Sequence, residues 1–337
     1  MNIATSLLGL FVSLLAAVFP TLIYAGIVHW FDRYEKEPFR LIVLAFLWGA
    51  IPATALSLVV EILLDAPLAA LGTTSAEFVS STAVAPFVEE AIKGLALLGL
   101  FLFRRCEFDN VLDGIIYGAL VGLGFAMAEN FIYFTSAFHE GGYSQLTFVI
   151  LMRSFVFGLN HALYTSVTGA GLGYVRIARS RWRRWGIPLM AFGASVGLHI
   201  FHNFFATLAE QHLIGLLIGF AGDWAAILVV FFVIALAWRE EKKWIAEELR
   251  SEVELGTLSA EEYAMTISYR NRLRAQLGAL LSNSLRHARA LSRLSQLATE
   301  LAFKKHQVWI HGPSSPESRL IEELRVRIKE HRRNATV

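Results

Sequence analysis

Apolar residues arrive in long runs along the first two thirds of this chain, and polar residues are confined to short gaps between them. A bilayer-crossing helix needs about 20 mostly apolar residues. Seven runs qualify, at Ser6–His29, Leu41–Leu64, Phe78–Phe103, Leu112–Phe134, Leu146–Val175, Ile187–Leu208 and Leu213–Trp238. The fifth is long for one crossing and is expected to tilt or to project beyond the bilayer. The first has no Lys or Arg before it and is too long for a cleavable signal peptide. After Trp238 the pattern changes to that of water-exposed amphipathic helices. Gly256 and the Thr257–Leu258 pair break the first of these. Ser259 with Glu262 three residues on has the form of a capping box that starts the next. Leucines at helical spacing run from Leu273 to Leu285 and from Leu291 to Leu301, His311–Pro316 is a further break, and a last helix is expected over Glu317–Arg332. The expectation is an all-α polytopic membrane bundle over residues 1–238 with a basic helical tail over 239–337.

Composition agrees. Of 337 residues, 55% are hydrophobic and 17% charged, against about 25% charged in an average soluble domain. The formal charge of +2 hides a split: residues 1–238 carry 12 Lys+Arg and 15 Asp+Glu, net −3, and the remainder 18 and 13, net +5. The lone Cys106 excludes an intramolecular disulfide and any multi-cysteine metal site. Basic residues alternate between connections. Trp30–Arg40, Arg104–Val111 and Arg176–Gly186 hold three, two and five, while Met1–Thr5, Asp65–Glu77, Thr135–Gln145 and Ala209–His212 hold none. The positive-inside rule then predicts an outer N-terminus and a cytoplasmic tail in a multi-pass cell-membrane protein. The tail interleaves acids with its arginines and lacks an aromatic stacking pattern, so no nucleic-acid partner is expected. Packing on itself, on a second copy or on the membrane face fits it better.

Two basic residues of the body, Lys93 and Arg153, lie inside runs. A charge at mid-membrane costs roughly 2.5–3.5 kcal/mol on insertion scales, so such residues face one another or a wet cavity. The third run has Glu89, Glu90 and Lys93. Lys93 is one turn from either glutamate and neutralises one. The other needs a partner from another span or a proton, which suits acid–base work. The fourth run repeats Gly114, Gly118 and Gly122, a close-packing face, and Glu129 returns to nearly that face with Asn130 beside it. The fifth has Arg153, a counter-ion candidate for Glu129, then Asn160 and His161. The sixth has His199, His202 and Asn203, with Ser195 one turn before His199. Glu61 and Asp223 read as peripheral.

Carboxylates and imidazoles in a wet membrane pocket can activate water for peptide hydrolysis. They could also hold a divalent metal such as zinc, with Glu90, His161, His199 and His202 as candidate ligands, although HExxH is absent. A Ser195–His199 dyad lacks the turn that presents a nucleophilic serine. A proton-coupled carrier using the same carboxylates and histidines is the alternative, weakened by the lack of an inverted repeat between the halves.

Glu89-Glu90-x-x-Lys93, Phe125-x-x-x-Glu129 and a later His-x-x-x-Asn together resemble the PrsW family of membrane-embedded proteases, within the CAAX-prenyl-protease and bacteriocin-processing superfamily. The likeness covers roughly residues 20–210, and His161 in His-Ala-Leu-Tyr-Thr adds to it. It implies a glutamate-dependent or metal-assisted intramembrane endopeptidase acting on a membrane-anchored protein, such as an anti-sigma factor. It implies Glu89 and Glu90 as the water-activating pair, Glu129 as a third polar position, and His199 with Asn203 as the oxyanion pair. Lys93, His202 and Arg153 would support them. The string HIFHN has Asn203 where aspartate is also common, and His202 offers a second register.

Overall fold

A computed structural model describes residues 3–68, 72–282, 284–312 and 317–335. The connection between the second and third runs and the His311–Pro316 break fall partly outside them. Every regular element among the described residues is helical. Among the described residues, five runs are long and apolar enough to cross a membrane: Thr5–Phe31, Phe39–Leu68, Val111–Ile177, Arg181–Ala209 and Leu213–Glu254. The difference from seven has two causes. The 67-residue run Val111–Ile177 contains both the fourth and the fifth expected spans. The third expected span is helical, but Glu89, Glu90 and Lys93 interrupt its apolarity.

The chain divides into two compact units. One comprises residues up to Phe31 and Glu37–Val233; the other comprises Asp32–Lys36 and Ile234–Val337. The first unit begins with α1 (Ile3–Phe31). Then come α2 (Phe39–Trp48) and α3 (Thr54–Leu68), joined by a π-helical turn at Gly49–Ala53. Pro52 within that turn lacks the N–H that an α-helical ladder needs. The same device recurs between α4 (Thr73–Val79) and α5 (Ala85–Phe103), where the π-helical stretch Ser80–Val84 lies just before Pro86.

α6 (Val111–Ile150) starts on a capping box, with the Asn110 side chain accepting from the Leu112 and Asp113 amides and Asp113 returning to the Asn110 amide. Its helix continues through most of Thr135–Gln145, expected from sequence as a loop. The reversal is confined to Gly142, whose φ of 66° only glycine adopts without strain. The chain then folds back: Leu146 packs beside Phe134 and Phe138. A π-helical stretch, Leu151–Val156, ends in an interruption at Phe157–Leu159 before α7 (Asn160–Ile177). The fifth span is therefore a broken helix, which puts Asn160 and His161 at the start of α7.

α6 and α7 approach backbone to backbone. A Cβ on Gly122 would sit 2.1 Å from the His161 carbonyl oxygen, and one on Gly114 2.0 Å from that of Gly169. The Gly114–Gly118–Gly122 face thus packs as its spacing predicts, and it fixes the height of His161 against Phe125 and Glu129. α8 (Arg181–Ala209) and the apolar part of α9 (Leu213–Glu254) complete this unit.

In the second unit, the later turns of α9 pack with α10 (Ala260–Thr266), α11 (Tyr269–Leu281), α12 (Leu285–His311) and α13 (Glu317–Ala335). Gly256, at φ 69°, follows the end of α9. The predicted capping box forms: the Glu262 amide donates to Ser259 Oγ at 3.1 Å, and the Ser259 amide donates to Glu262 Oε2 at 2.6 Å. The core is Ile245, Leu249, Leu258, Leu294, Leu297, Leu301, Phe303, Leu324 and Ile328, joined by Tyr34 from the segment between α1 and α2. Arg272 is buried beside Tyr34. Its guanidinium donates to the carbonyl oxygens of Tyr34 (2.9 Å) and Thr266 (2.9 Å) and to Thr299 Oγ1 (2.7 Å).

Candidate active site

α5, α6, α7 and α8 each contribute polar side chains to one cluster. On α5, Lys93 Nζ lies 2.5 Å from Glu90 Oε1 and 3.4 Å from Glu89 Oε2. The ammonium is fully enclosed, 4.2 Å from the Phe125 ring centroid. It also donates to His161 Nδ1 at 3.3 Å. That bond assigns the proton of His161 to Nε2, which donates to Glu129 Oε2 at 2.7 Å. Arg153 donates to the same oxygen at 2.6 Å and, through Nε, to Asn130 Oδ1 at 2.9 Å.

Glu90 is the most enclosed carboxylate. Oε1 faces Lys93 and accepts from His199 Nδ1 at 3.2 Å, while Oε2 accepts from Thr165 (3.0 Å) and Ser195 (3.1 Å). Both oxygens are engaged, so Glu90 has no lone pair directed at an incoming water. Ser195 shares its single hydroxyl proton between Glu90 and the Tyr164 carbonyl, 2.6 Å away, which braces Glu90 against α7. The Tyr164 ring stacks on His199 at 4.7 Å. With its Nδ1 proton on Glu90, His199 turns Nε2 toward Glu89 Oε2, 3.9 Å away.

Glu89, His161 and His199 can each offer a ligand atom, and these atoms lie within 4.8 Å of one another. Metal-binding histidines characteristically give their second N–H to a carboxylate, which fixes tautomer and ring plane. Both imidazoles do so here, His161 to Glu129 and His199 to Glu90; His161 Nδ1 ligates a cation only by giving up the bond it accepts from Lys93. Charge leaves room for one further positive group: Glu89, Glu90 and Glu129 face Lys93 and Arg153 as full cations, so the third carboxyl group takes either a proton or a bound cation. The donor set therefore fits a divalent cation such as zinc. The carboxylate that converges with the two histidines is Glu89, where the sequence reading has Glu90 with His161, His199 and His202 as candidates.

The remaining candidates lie apart from these three ligands. His202 Nδ1 is 2.7 Å from Asp223 Oδ2, which also accepts from Asn160 Nδ2 at 2.8 Å. Asn203 donates to the Ser81 carbonyl at 2.8 Å, against the π-helical stretch before α5. Asp223, peripheral in the sequence reading, is fully buried. Next to it, Trp224 Nε1 donates to the Val156 carbonyl at 3.2 Å. Together they brace the interruption that precedes His161. A single aspartate within the apolar run of α9 was the available signal. For Thr165 it was the one-turn spacing from His161. Beside the cluster is an apolar groove of about 600 Å³. Val60 and Leu64 of α3, Phe87 and Ala91 of α5, and Val196 and Ile200 of α8 are among its walls.

Known proteins extend this picture. A family model described as "PrsW family intramembrane metalloprotease" matches residues 37–238. Protease PrsW of Clostridioides difficile is 29% identical over 225 residues, covering 67% of this chain and 86% of that relative. Protease PrsW of Geobacillus kaustophilus is 28% identical over 163 residues, covering 48% of this chain and 66% of the relative, just under two thirds of its length. Protease PrsW of Bacillus subtilis is 26% identical over 177 residues, covering 52% and 75%. No solved structure matches. The family match spans well over half of the chain and contains every residue of the cluster, and the protein belongs to the PrsW family of intramembrane metalloproteases.

Proposed function

We propose that the chain is an endopeptidase that hydrolyses a peptide bond of a membrane-anchored protein, with a divalent metal such as zinc held by Glu89, His161 and His199. The convergence of these three side chains, with each histidine's second nitrogen on a carboxylate, carries the reading. A metal there supplies Lewis-acid polarisation and eases deprotonation of water.

The chain's own groups supply the rest. Glu129 accepts from His161 and Arg153 through Oε2, which leaves Oε1 as the acceptor for the proton of the attacking water. The same proton then passes to the leaving amine. Arg153, whose side chain is 25% exposed, is the cation at the rim that faces the developing oxyanion. Asn203, committed to the Ser81 carbonyl, leaves that role to Arg153. Glu90 and Lys93 act from behind: Glu90 orients His199, and Lys93 compensates the surplus carboxylate. The apolar groove between α3, α5 and α8 suits a substrate's membrane-spanning segment, which fits an anti-sigma-factor-like protein as substrate class. The alternation of basic connections supports an outer N-terminus and a cytoplasmic tail. Family membership favours hydrolysis over the proton-coupled carrier.

The test uses the purified full chain in nanodiscs with a quenched-fluorescent peptide carrying a membrane segment. Chelation should abolish cleavage, zinc should restore it, and Glu89→Gln should be inactive at every zinc concentration. Full cleavage by metal-free protein would overturn the metal part. Full cleavage by Glu89→Gln would overturn the site.

A further inference from the structure

α11 is built inside out. It buries Arg272 and Ala279 and turns four leucines to the exterior. Leu273, Leu277, Leu280 and Leu281 are spaced i, i+4, i+7 and i+8, which places them on one face. Leu281 is 87% exposed, and Leu285, the first residue of α12, is 62% exposed. Arg270 and Arg274 share the leucine face, and Arg286, Arg289 and Arg293 continue the exposed positive charge along α12. No Asp or Glu occurs between Glu262 and Glu300. The tail's acids sit instead at the end of α9, the start of α10, Glu300 on α12, and α13.

We propose that the α11–α12 corner is a docking surface for an anionic lipid bilayer. Leucines flanked by arginines on a short amphipathic helix are the chemistry of an interfacial helix, with the apolar face in the acyl boundary and the guanidinium groups among phosphates. Lipid is within reach. α9 continues as one helix from its apolar part past Trp238 to Glu254, so the tail is joined directly to a membrane-crossing run. A second copy is the poorer occupant, because a two-fold contact would set this acid-free arginine surface against itself.

The experiment places an environment-sensitive dye on Leu281→Cys, in a Cys106→Ser background that removes the single native thiol. The full-length chain is reconstituted at one copy per nanodisc. In discs containing phosphatidylglycerol the dye should shift to the blue, and the shift should be absent in phosphatidylcholine discs. It should fade as salt is raised, since screening shortens the reach of these charges to about 3 Å at 1 M. Replacing Arg270, Arg274, Arg286 and Arg289 by Gln, singly and in combination, should lower the docking equilibrium by about fivefold per arginine. These side chains are exposed, so the fold should survive, and circular dichroism checks that it does. Equal dye emission in the two lipids would overturn the proposal. So would a shift that appears only in discs holding two copies, which would assign the surface to self-association.

Discussion

Both units bury charge, but they settle it differently. In the tail, Glu252 is fully enclosed, and its carboxylate accepts from Lys305 at 2.8 Å and from Arg325 at 2.7 and 3.0 Å. Two cations answer one carboxylate, and the acid is held down to about pKa 2 by those hydrogen bonds and charges, against the opposing effect of burial. Arg272 is held through its two terminal nitrogens by carbonyl and hydroxyl oxygens. Around Glu252 the network is closed: both carboxylate oxygens are answered by cations, and nothing in it calls for a further ion. The cluster on α5–α8 is open in that sense. Three carboxyl groups meet two cations, Glu89, His161 and His199 can each offer a ligand atom within 4.8 Å of the others, and Arg153 and Glu129 remain partly exposed. Burial of charge therefore does not distinguish a site from a structural staple. Convergence of potential ligand atoms beside partly exposed polar groups does.

The largest effect expected from breaking this contrast is on catalysis. Glu89→Gln removes the carboxyl ligand from the open cluster and should lower turnover by at least about 100-fold, since the metal it would hold supplies the polarised water. Peptide cleavage by folded, reconstituted protein measures it. Glu90→Gln leaves the three ligands in place but weakens the orientation of His199. Zinc affinity should fall by about 10–100-fold, as for other groups that support a ligand, and competition with a fluorescent chelator reads this directly. Ala91→Trp fills the groove without touching a charge, so it should raise KM several-fold and leave kcat nearly unchanged.

The closed network answers to pH instead. Glu252 has a folded pKa of about 2 against an ordinary value of 4.5. A depressed carboxylate contributes stability above its unfolded pKa and loses it as pH falls through the folded value. Resistance of the tail to proteolysis should therefore decline from about pH 4.5 toward pH 2. Glu252→Gln should flatten that dependence without changing peptide cleavage at neutral pH.

The parts of this architecture written in local spacing were legible. Glu89, Glu90 and Lys93 fall on adjacent turns of one helix, and the glycine repeat of α6 specifies a backbone-close neighbour, which proved to be α7. What spacing could not express was how spans break. The helix interruption at Phe157–Leu159 depends on Trp224 and Asp223, more than 60 residues later in the chain, and apolar periodicity passes through it unmarked. Asn203 is one turn from His199, yet it bonds back to a carbonyl of the π-helical stretch before α5. The leucine period from Leu273 to Leu285 likewise gave no sign that the helix ends at Leu281 and restarts at Leu285.

The bond from Arg272 to the Tyr34 carbonyl joins residues 238 apart in sequence. That separation has a consequence for synthesis. At roughly 5–20 residues per second, the Asp32–Lys36 segment leaves the ribosome on the order of 10–50 s before Arg272 exists to bind it. Through that interval Tyr34 has no core to enter, while the membrane helices that follow are inserted one after another. The tail's core closes only when α12 supplies Thr299 and its leucines. A chain stalled or clipped before that point would present an aromatic ring and an unfilled guanidinium seat to the quality-control machinery, and a finished chain would not.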